Sequence, residues 1–118
     1  MVFLEDNRPG AFHLAVRQDD TILGVASFSP EATPYRPGRS AVHLRGMAVD
    51  LPFRAYGVGR LLVATVVDRL RSAGVDVLWC NARDSAGGFY ARLGFEVMGD
   101  GFVLPESGIA HHVTVLDL

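Results

Sequence analysis

The stretch RAYGVGRLLVATVVDRL, from Arg54 to Leu70, places two glycines directly before an amphipathic pattern. From Val58 onward apolar residues recur every three or four positions while charged residues take the other face, which predicts a helix. Gly74 follows as the expected C-terminal cap of that helix. Because glycine amides can approach a ligand closely and a helix N-terminus favours an anion, the segment predicts a phosphate site.

Three phosphate-binding patterns compete for this segment. The P-loop requires a lysine before Ser or Thr, and the chain contains no lysine. The dinucleotide fingerprint requires a third glycine at the position that Leu62 occupies. The hexapeptide RAYGVG (Arg54 to Gly59) matches a third pattern, Arg/Gln-x-x-Gly-x-Gly, at every fixed position. Taken alone, these six residues fit equally well a glycine-rich turn that merely starts a helix.

Length and composition indicate one globular domain over residues 1–118, since 49% of the residues are hydrophobic and 20% are charged. The net charge is −2 and no basic face is clustered in sequence, so we expect no nucleic-acid partner. The N-terminus lacks the pattern of a signal peptide and no apolar run is long enough to span a bilayer, so we expect a cytoplasmic protein without membrane contact. The single cysteine, Cys80, excludes an internal disulfide.

The rest of the chain predicts six strands, one more helix and no element in the first ten residues. The predicted order is β-β-β-α-β-α-β-β. Residues Asp84 to Gly94 form the second helix, with an Asp or Ser N-cap and a glycine stop. The predicted strands are Ala11 to Gln18, Thr21 to Ser29, Ala41 to Val49, Val75 to Ala82 and two within Phe95 to Leu118, with a Pro/Gly-rich loop over Pro30 to Ser40.

Two blocks of this sequence resemble the GNAT superfamily of acetyl-CoA-dependent N-acetyltransferases. MAVDLPFRAYGVGRLLV (Met47 to Val63) is similar to motif A of that family. NARDSAGGFYARLGFE (Asn81 to Glu96) is similar to motif B and includes the FYxRxGF signature. The resemblance covers roughly Phe12 to the C-terminus. The stretches DNRPGAFHLAV and GIAHHVTV also resemble the beginning and end of a small bacterial subgroup.

The resemblance implies an α/β (α+β) acyl-CoA N-acyltransferase fold, with a mixed central sheet flanked by helices. Only about a dozen residues precede Phe12, so we expect the N-terminal helices of the family to be reduced or absent in this sequence. Three explanations stay open: a reduced form with an open acceptor site, a start assigned too late, or a second subunit that completes the site.

The implied function is transfer of an acetyl group from acetyl-CoA to an amine acceptor by direct attack. Two alternatives are a non-catalytic acyl-CoA-binding or sensing module and a subunit of a larger complex. The short chain and its apolar fraction favour a homodimer with two-fold symmetry.

Acetyl-CoA is the implied co-substrate, and no metal is required. By resemblance, the strand before the glycines pairs with the pantetheine arm, the following amides hold the pyrophosphate, and Asn81 and Tyr90 lie near the thioester. Tyr90 is the implied general acid for the departing thiolate, and the amide of Val49 is the implied oxyanion donor. The implied cofactor-binding residues are Met47, Ala48, Val49, Arg54, Ala55, Tyr56, Gly57, Val58, Gly59, Arg60 and Asn81.

The general base is less defined, because no glutamate lies on the strand before the glycines. His43 is the titratable near-neutral group on that strand and His13 is the next candidate, while a chain of ordered waters is equally compatible. His111 and His112 are adjacent in a predicted strand and point to opposite faces, so they cannot hold one metal together. We therefore predict no metal site.

Overall fold

The computed structural model of the chain describes residues 2–8, 11–50 and 57–118, with the backbone alone described in the first range. Within these ranges the chain forms seven strands and two α-helices in the order β-β-β-β-α-β-α-β-β. The elements are β1 (Val2–Arg8), β2 (Ala11–Gln18), β3 (Thr21–Pro30), β4 (Ala41–Val49), α1 (Val58–Ser72), β5 (Val77–Arg83), a 3₁₀ turn (Asp84–Ala86), α2 (Gly87–Arg92), β6 (Glu96–Val103) and β7 (Ala110–Asp117).

The strands form one mixed sheet in the order β1-β2-β3-β4-β5-β7-β6. Only β4 and β5 are parallel among these strand pairs, and α1 is the crossover that connects them. The other neighbours are antiparallel. The predicted fold class, a mixed sheet with packed helices, is therefore confirmed.

The first strand was not predicted. Its sequence, VFLEDNR, places three apolar residues before four polar ones and lacks the alternation that identifies a half-buried strand. β1 nevertheless pairs antiparallel with β2 from Val2↔Arg17 to Arg8↔Ala11. Pairing with β2, and not the hydrophobic pattern of its own sequence, therefore accounts for β1. The other predicted strands are confirmed, with ends that shift by a few residues.

The side-chain N-cap predicted for the second helix is wrong. The segment begins as a 3₁₀ turn without a side-chain cap. The carboxylate of Asp84 instead accepts a hydrogen bond from Nδ1 of His112, at 2.7 Å. The glycine stops are confirmed, since Gly74 and Gly94 both have positive φ angles, of 78° and 94°.

The main core lies on one face of the sheet, where both helices pack. Buried residues of α1 contact alternate residues of the central strands, and Tyr90 and Phe95 extend the same cluster toward β5. Leu44 of β4 and Cys80 of β5 belong to this cluster. Neither described helix has the length and apolarity that crossing a bilayer requires.

The opposite face of the sheet carries a smaller cluster formed by Val77, Trp79 and Val115. The loop between β3 and β4 folds against this side. The indole N–H of Trp79 donates to the carbonyl of Glu31 at 2.8 Å. The guanidinium of Arg36 donates to both carboxylate oxygens of Asp117, at 2.8 and 3.0 Å. These contacts tie the loop to β5 and to the end of β7.

Gly24 sets how closely the start of α1 approaches the sheet. A Cβ on Gly24 would lie 2.7 Å from Cγ1 of Val58 and 3.2 Å from the carbonyl oxygen of Ala48. Gly46, in the neighbouring strand, has no atom within 4 Å of the same position. The two glycines therefore form a matched pair for testing this approach.

We expect Gly24→Ala to destabilise the protein by about 1–3 kcal/mol, because the added methyl overpacks the contact between Val58 and the sheet. Gly46→Ala should change the free energy of unfolding by less than about 1 kcal/mol. Urea unfolding of both variants measures the difference. Equal stabilities of the two variants would contradict the close approach.

Candidate functional site

A cleft opens where β4 and β5 separate. The two strands pair only at Ala41↔Val77, Val42↔Leu78 and His43↔Trp79. Beyond this point β4 keeps its pairing with β3, and its other edge faces a cleft of about 1070 Å³. No described strand covers that edge of β4, so an extended ligand could add to the sheet there.

The glycine turn lies at the helix side of this cleft. Gly57 is the N-cap of α1 with a φ angle of 76°, a left-handed conformation that favours glycine. The first intrahelical bond runs from the Leu61 N–H to the Gly57 carbonyl at 3.0 Å, so the amides of residues 58–60 have no partner within the helix. Gly57, Gly59 and Arg60 all line the cleft. The predicted residues Arg54, Ala55 and Tyr56 lie outside the described residues.

Gly59 has a packing role as well. A Cβ at this position would lie 3.3 Å from the ring of Phe89 and 3.6 Å from Cε of Met47. The missing side chain therefore lets α2 and β4 pack against the first turn of α1. Met47, Ala48 and Val49 also line the cleft, while Val58 is buried beneath the turn.

Tyr90 reaches the cleft from α2 and is 8% exposed. Its ring packs edge-on against Phe89 and Phe95, and its hydroxyl is a hydrogen-bond partner of the Cys80 thiol. Burial raises the pKa of Tyr90 above its ordinary value, and the neighbouring Cys80 raises it further. The hydroxyl therefore remains protonated across the neutral pH range.

Cys80 lies between Tyr90 and Thr114, with its sulfur 3.2 Å from the Thr114 hydroxyl oxygen. Burial raises the pKa of the Cys80 thiol, and its hydrogen bonds to Thr114 and Tyr90 only partly offset this effect. The thiol is therefore protonated at neutral pH, which disfavours Cys80 as a nucleophile.

His43 lies on the face of the sheet opposite the helices. Its ring stacks on Trp79 with centroids 3.9 Å apart and planes 3° from parallel. Its Nδ1 lies 3.4 Å from Oε1 of Glu31, and Nη1 of Arg45 lies 3.4 Å from the same oxygen. Burial lowers the pKa of His43, Glu31 opposes this shift and Arg45 reinforces it, so the imidazole is neutral at pH 7.

Sequence reasoning missed Glu31, because it belongs to the loop between β3 and β4 and no local pattern shows where that loop folds. The other candidate base, His13, bonds Ser27 at 2.7 Å and does not line the cleft. His111 bonds the carbonyl of Ile109, whereas His112 bonds Asp84. Within the described ranges no three His, Cys, Asp or Glu side chains lie together in a way that could hold a metal ion.

The walls of the cleft are strongly cationic. Among the described residues that line it, four are arginines and none is an aspartate or a glutamate. The whole chain, by contrast, has a net charge of −2. The lining arginines are Arg45, Arg60, Arg83 and Arg92. Asn81 lines the cleft from β5 and has an exposed side chain.

The sequence of residues 2–95 matches the model of the acetyltransferase (GNAT) family. This chain belongs to that family. It is 39% identical over 113 residues to the uncharacterized N-acetyltransferase YitI of Bacillus subtilis (strain 168), which covers 96% of this chain and 74% of that protein. The family and this relative identify the chain as an N-acetyltransferase.

Solved structures agree with this assignment. A structure from Desulfovibrio desulfuricans, described as a GNAT-family acetyltransferase, superposes with a TM-score of 0.74 at 25% identity, covering 92% of this chain and 69% of that one. The NatC complex, solved with a Gag peptide and CoA, contains a chain that superposes with a TM-score of 0.74 at 18% identity, covering 92% and 70%. The second likeness shows the fold alone.

Proposed function

We propose that the chain transfers an acetyl group from acetyl-CoA to an amine by direct attack. The observation that carries this proposal is the cleft between β4 and β5, which brings the β4 edge that no described strand covers, a helix N-terminus and Tyr90 to one opening. Acetyl-CoA would supply the acetyl group as a thioester. The chain contributes the placement of both reactants and the proton transfers.

The described residues fit the cofactor. The edge of β4 that faces the cleft, at Met47, Ala48 and Val49, would pair with the amides of the pantetheine arm. The first-turn amides of α1 and the charge of Arg60 would hold the pyrophosphate, together with Arg54, Ala55 and Tyr56. Asn81 would lie beside the thioester. The CoA bound in the NatC complex supports this use of the fold.

The two proton transfers fall on opposite faces of the sheet. Tyr90, on the helix side, would donate its proton to the departing thiolate. His43, on the other face, would accept the proton of the amine at Nε2. Glu31 beside Nδ1 would hold the other proton and orient the ring, so that Nε2 carries the lone pair. A chain of ordered waters is the alternative to His43 as the general base.

We also propose that the protein is a cytoplasmic homodimer. The edge strand β6 supports an association between copies, because Val97 and Val103 are 54% and 59% exposed on it.

Arg60→Gln tests the cofactor site. We expect the Kd for acetyl-CoA to rise about 3- to 10-fold at low salt, because Arg60 loses its charge beside the pyrophosphate. Arg71→Gln, at the other end of the same helix, is the matched control and should leave the Kd unchanged. Calorimetric titration and the thermal shift with acetyl-CoA measure both. Equal affinities in the two variants would exclude the charge of Arg60 from the binding of the pyrophosphate.

Tyr90→Phe tests the general acid. We expect turnover to fall by roughly 10- to 10³-fold while the Kd for acetyl-CoA stays within a few-fold. The loss should shrink at alkaline pH, where the thiolate leaves without protonation. The ring contacts with Phe89 and Phe95 remain, so the variant should fold. Wild-type turnover in the variant would exclude Tyr90 from the proton transfer.

His43 and Glu31 are tested by the pH profile of kcat/KM. His43→Gln should lower kcat/KM by about 10²- to 10⁴-fold and abolish the acidic limb. Glu31→Gln should keep a limb but move it to lower pH, since Glu31 raises the pKa of His43 while burial and Arg45 lower it. An acidic limb that persists unchanged in His43→Gln would assign it to the amine substrate or to a water chain.

A further inference from the structure

Arg45 and Arg83 lie on the same face of the sheet as His43. Both Arg45 and His43 contact Glu31, which places the two side chains on one side of β4. On β5, Arg83 lies four residues after Trp79 and therefore on the same face of the strand. Trp79 is the residue on which His43 stacks. Both arginines therefore line the cleft on the face opposite the helices.

This face is separated from the proposed cofactor site by the sheet itself. Gly57, Gly59 and Arg60 lie on the helix side, where Phe89 and Met47 pack against the glycine turn. An amine that reaches the thioester from the other face must therefore pass Arg45 and Arg83. The charges on that route decide which amines can approach.

The route has an excess of positive charge. Glu31 partly neutralises Arg45, at 3.4 Å, and is 46% exposed. Among the ion pairs of the described residues none includes Arg83, and the adjacent Asp84 is bonded to His112 instead. A simple alkylamine is itself a cation at neutral pH and is repelled by two guanidinium groups. An amine that also carries a negative group is attracted by them.

We infer that the acceptor amine carries an anionic group, a carboxylate or a phosphate, which Arg45 and Arg83 bind on the face of the sheet opposite the helices. This inference rests on the proposed function and specifies its acceptor. Arg83 is the principal contact, since its guanidinium is exposed and not engaged by a described carboxylate. Arg45 is held in place by Glu31, and so the residue that orients His43 also positions one anion-binding side chain.

The test compares matched amines in the thiol-release assay with acetyl-CoA. Each common amino acid is paired with its primary amide, and phosphoethanolamine is paired with ethanolamine. We expect kcat/KM to be about tenfold or more higher for the anionic member of at least one pair. The amino acid pairs and the phosphate pair separate the two sources of the negative charge. Equal or faster acetylation of the neutral members overturns the inference.

Arg83→Gln and Arg45→Gln test whether these two side chains cause the preference for anionic amines. Each should raise KM for the preferred anionic amine about tenfold. In Arg83→Gln, kcat and the kinetics of the neutral amine should stay within about twofold. Arg45→Gln should also move the acidic limb to higher pH, because Arg45 lowers the pKa of His43. Arg71→Gln on α1 is the control and should change neither value. A preference that survives in Arg83→Gln overturns the inference, as does a failure of every anionic amine to react in a protein that binds acetyl-CoA.

The Kd for acetyl-CoA tests whether Arg45 and Arg83 bind the phosphates of CoA and not the acceptor. Arg45→Gln and Arg83→Gln should bind acetyl-CoA within about twofold of the unchanged protein, whereas Arg60→Gln should bind it more weakly. Weaker binding in the first two variants would assign these arginines to the phosphates of CoA and overturn the inference. A wild-type protein that shows no thermal shift with acetyl-CoA would instead remove the proposed function, before any acceptor is added.

Discussion

The parallel pairing of β4 with β5 stops at His43 and Trp79, and the cleft depends on that stop. Up to this pair the two strands share one core on the helix side. At the pair, the stacked rings and the indole bond to Glu31 hold the strands together on the other face. A register shift between β3 and β4 at Ser27 and Phe28 places Arg45 outside the regular ladder, and such irregularities bend a strand. Beyond this point β4 stays paired with β3 and β5 stays paired with β7.

Separation of the strands gives the two faces of one sheet different chemistry. On the helix side, Tyr90 and Cys80 are buried and protonated, and the first-turn amides of α1 have no partner within the helix. On the opposite face, a neutral imidazole and exposed guanidinium groups line the same opening. Alternation along β5 places Cys80 and Arg83 on opposite sides, whereas on β4 the contact with Glu31 places Arg45 beside His43. A two-substrate reaction can therefore use both sides of the gap.

Sequence patterns were enough to predict the regular elements that carry the candidate site. The period of α1, the glycines at both of its ends and the apolar run of β5 each predict a local conformation directly. Glu31 could not be placed in this way, because its position depends on a loop that folds over Trp79. Arg83 lies one residue beyond the predicted end of its strand at Ala82, and its proximity to β4 follows only from the pairing of distant strands. Asp84 was misassigned because His112, 28 residues away, competes for the carboxylate that a helix cap would use.

The only thiol of the chain belongs to Cys80, which is 2% exposed and has a raised pKa. Colorimetric reagents that react with thiolates will therefore detect released CoA with little background from the enzyme. The same burial makes Cys80 an intrinsic reporter. Because Cys80 is buried between Tyr90 and Thr114, we expect a reagent to label it only when these side chains move apart. Labelling rates measured with and without bound ligand would therefore report how often this part of the cleft opens, without any engineered probe.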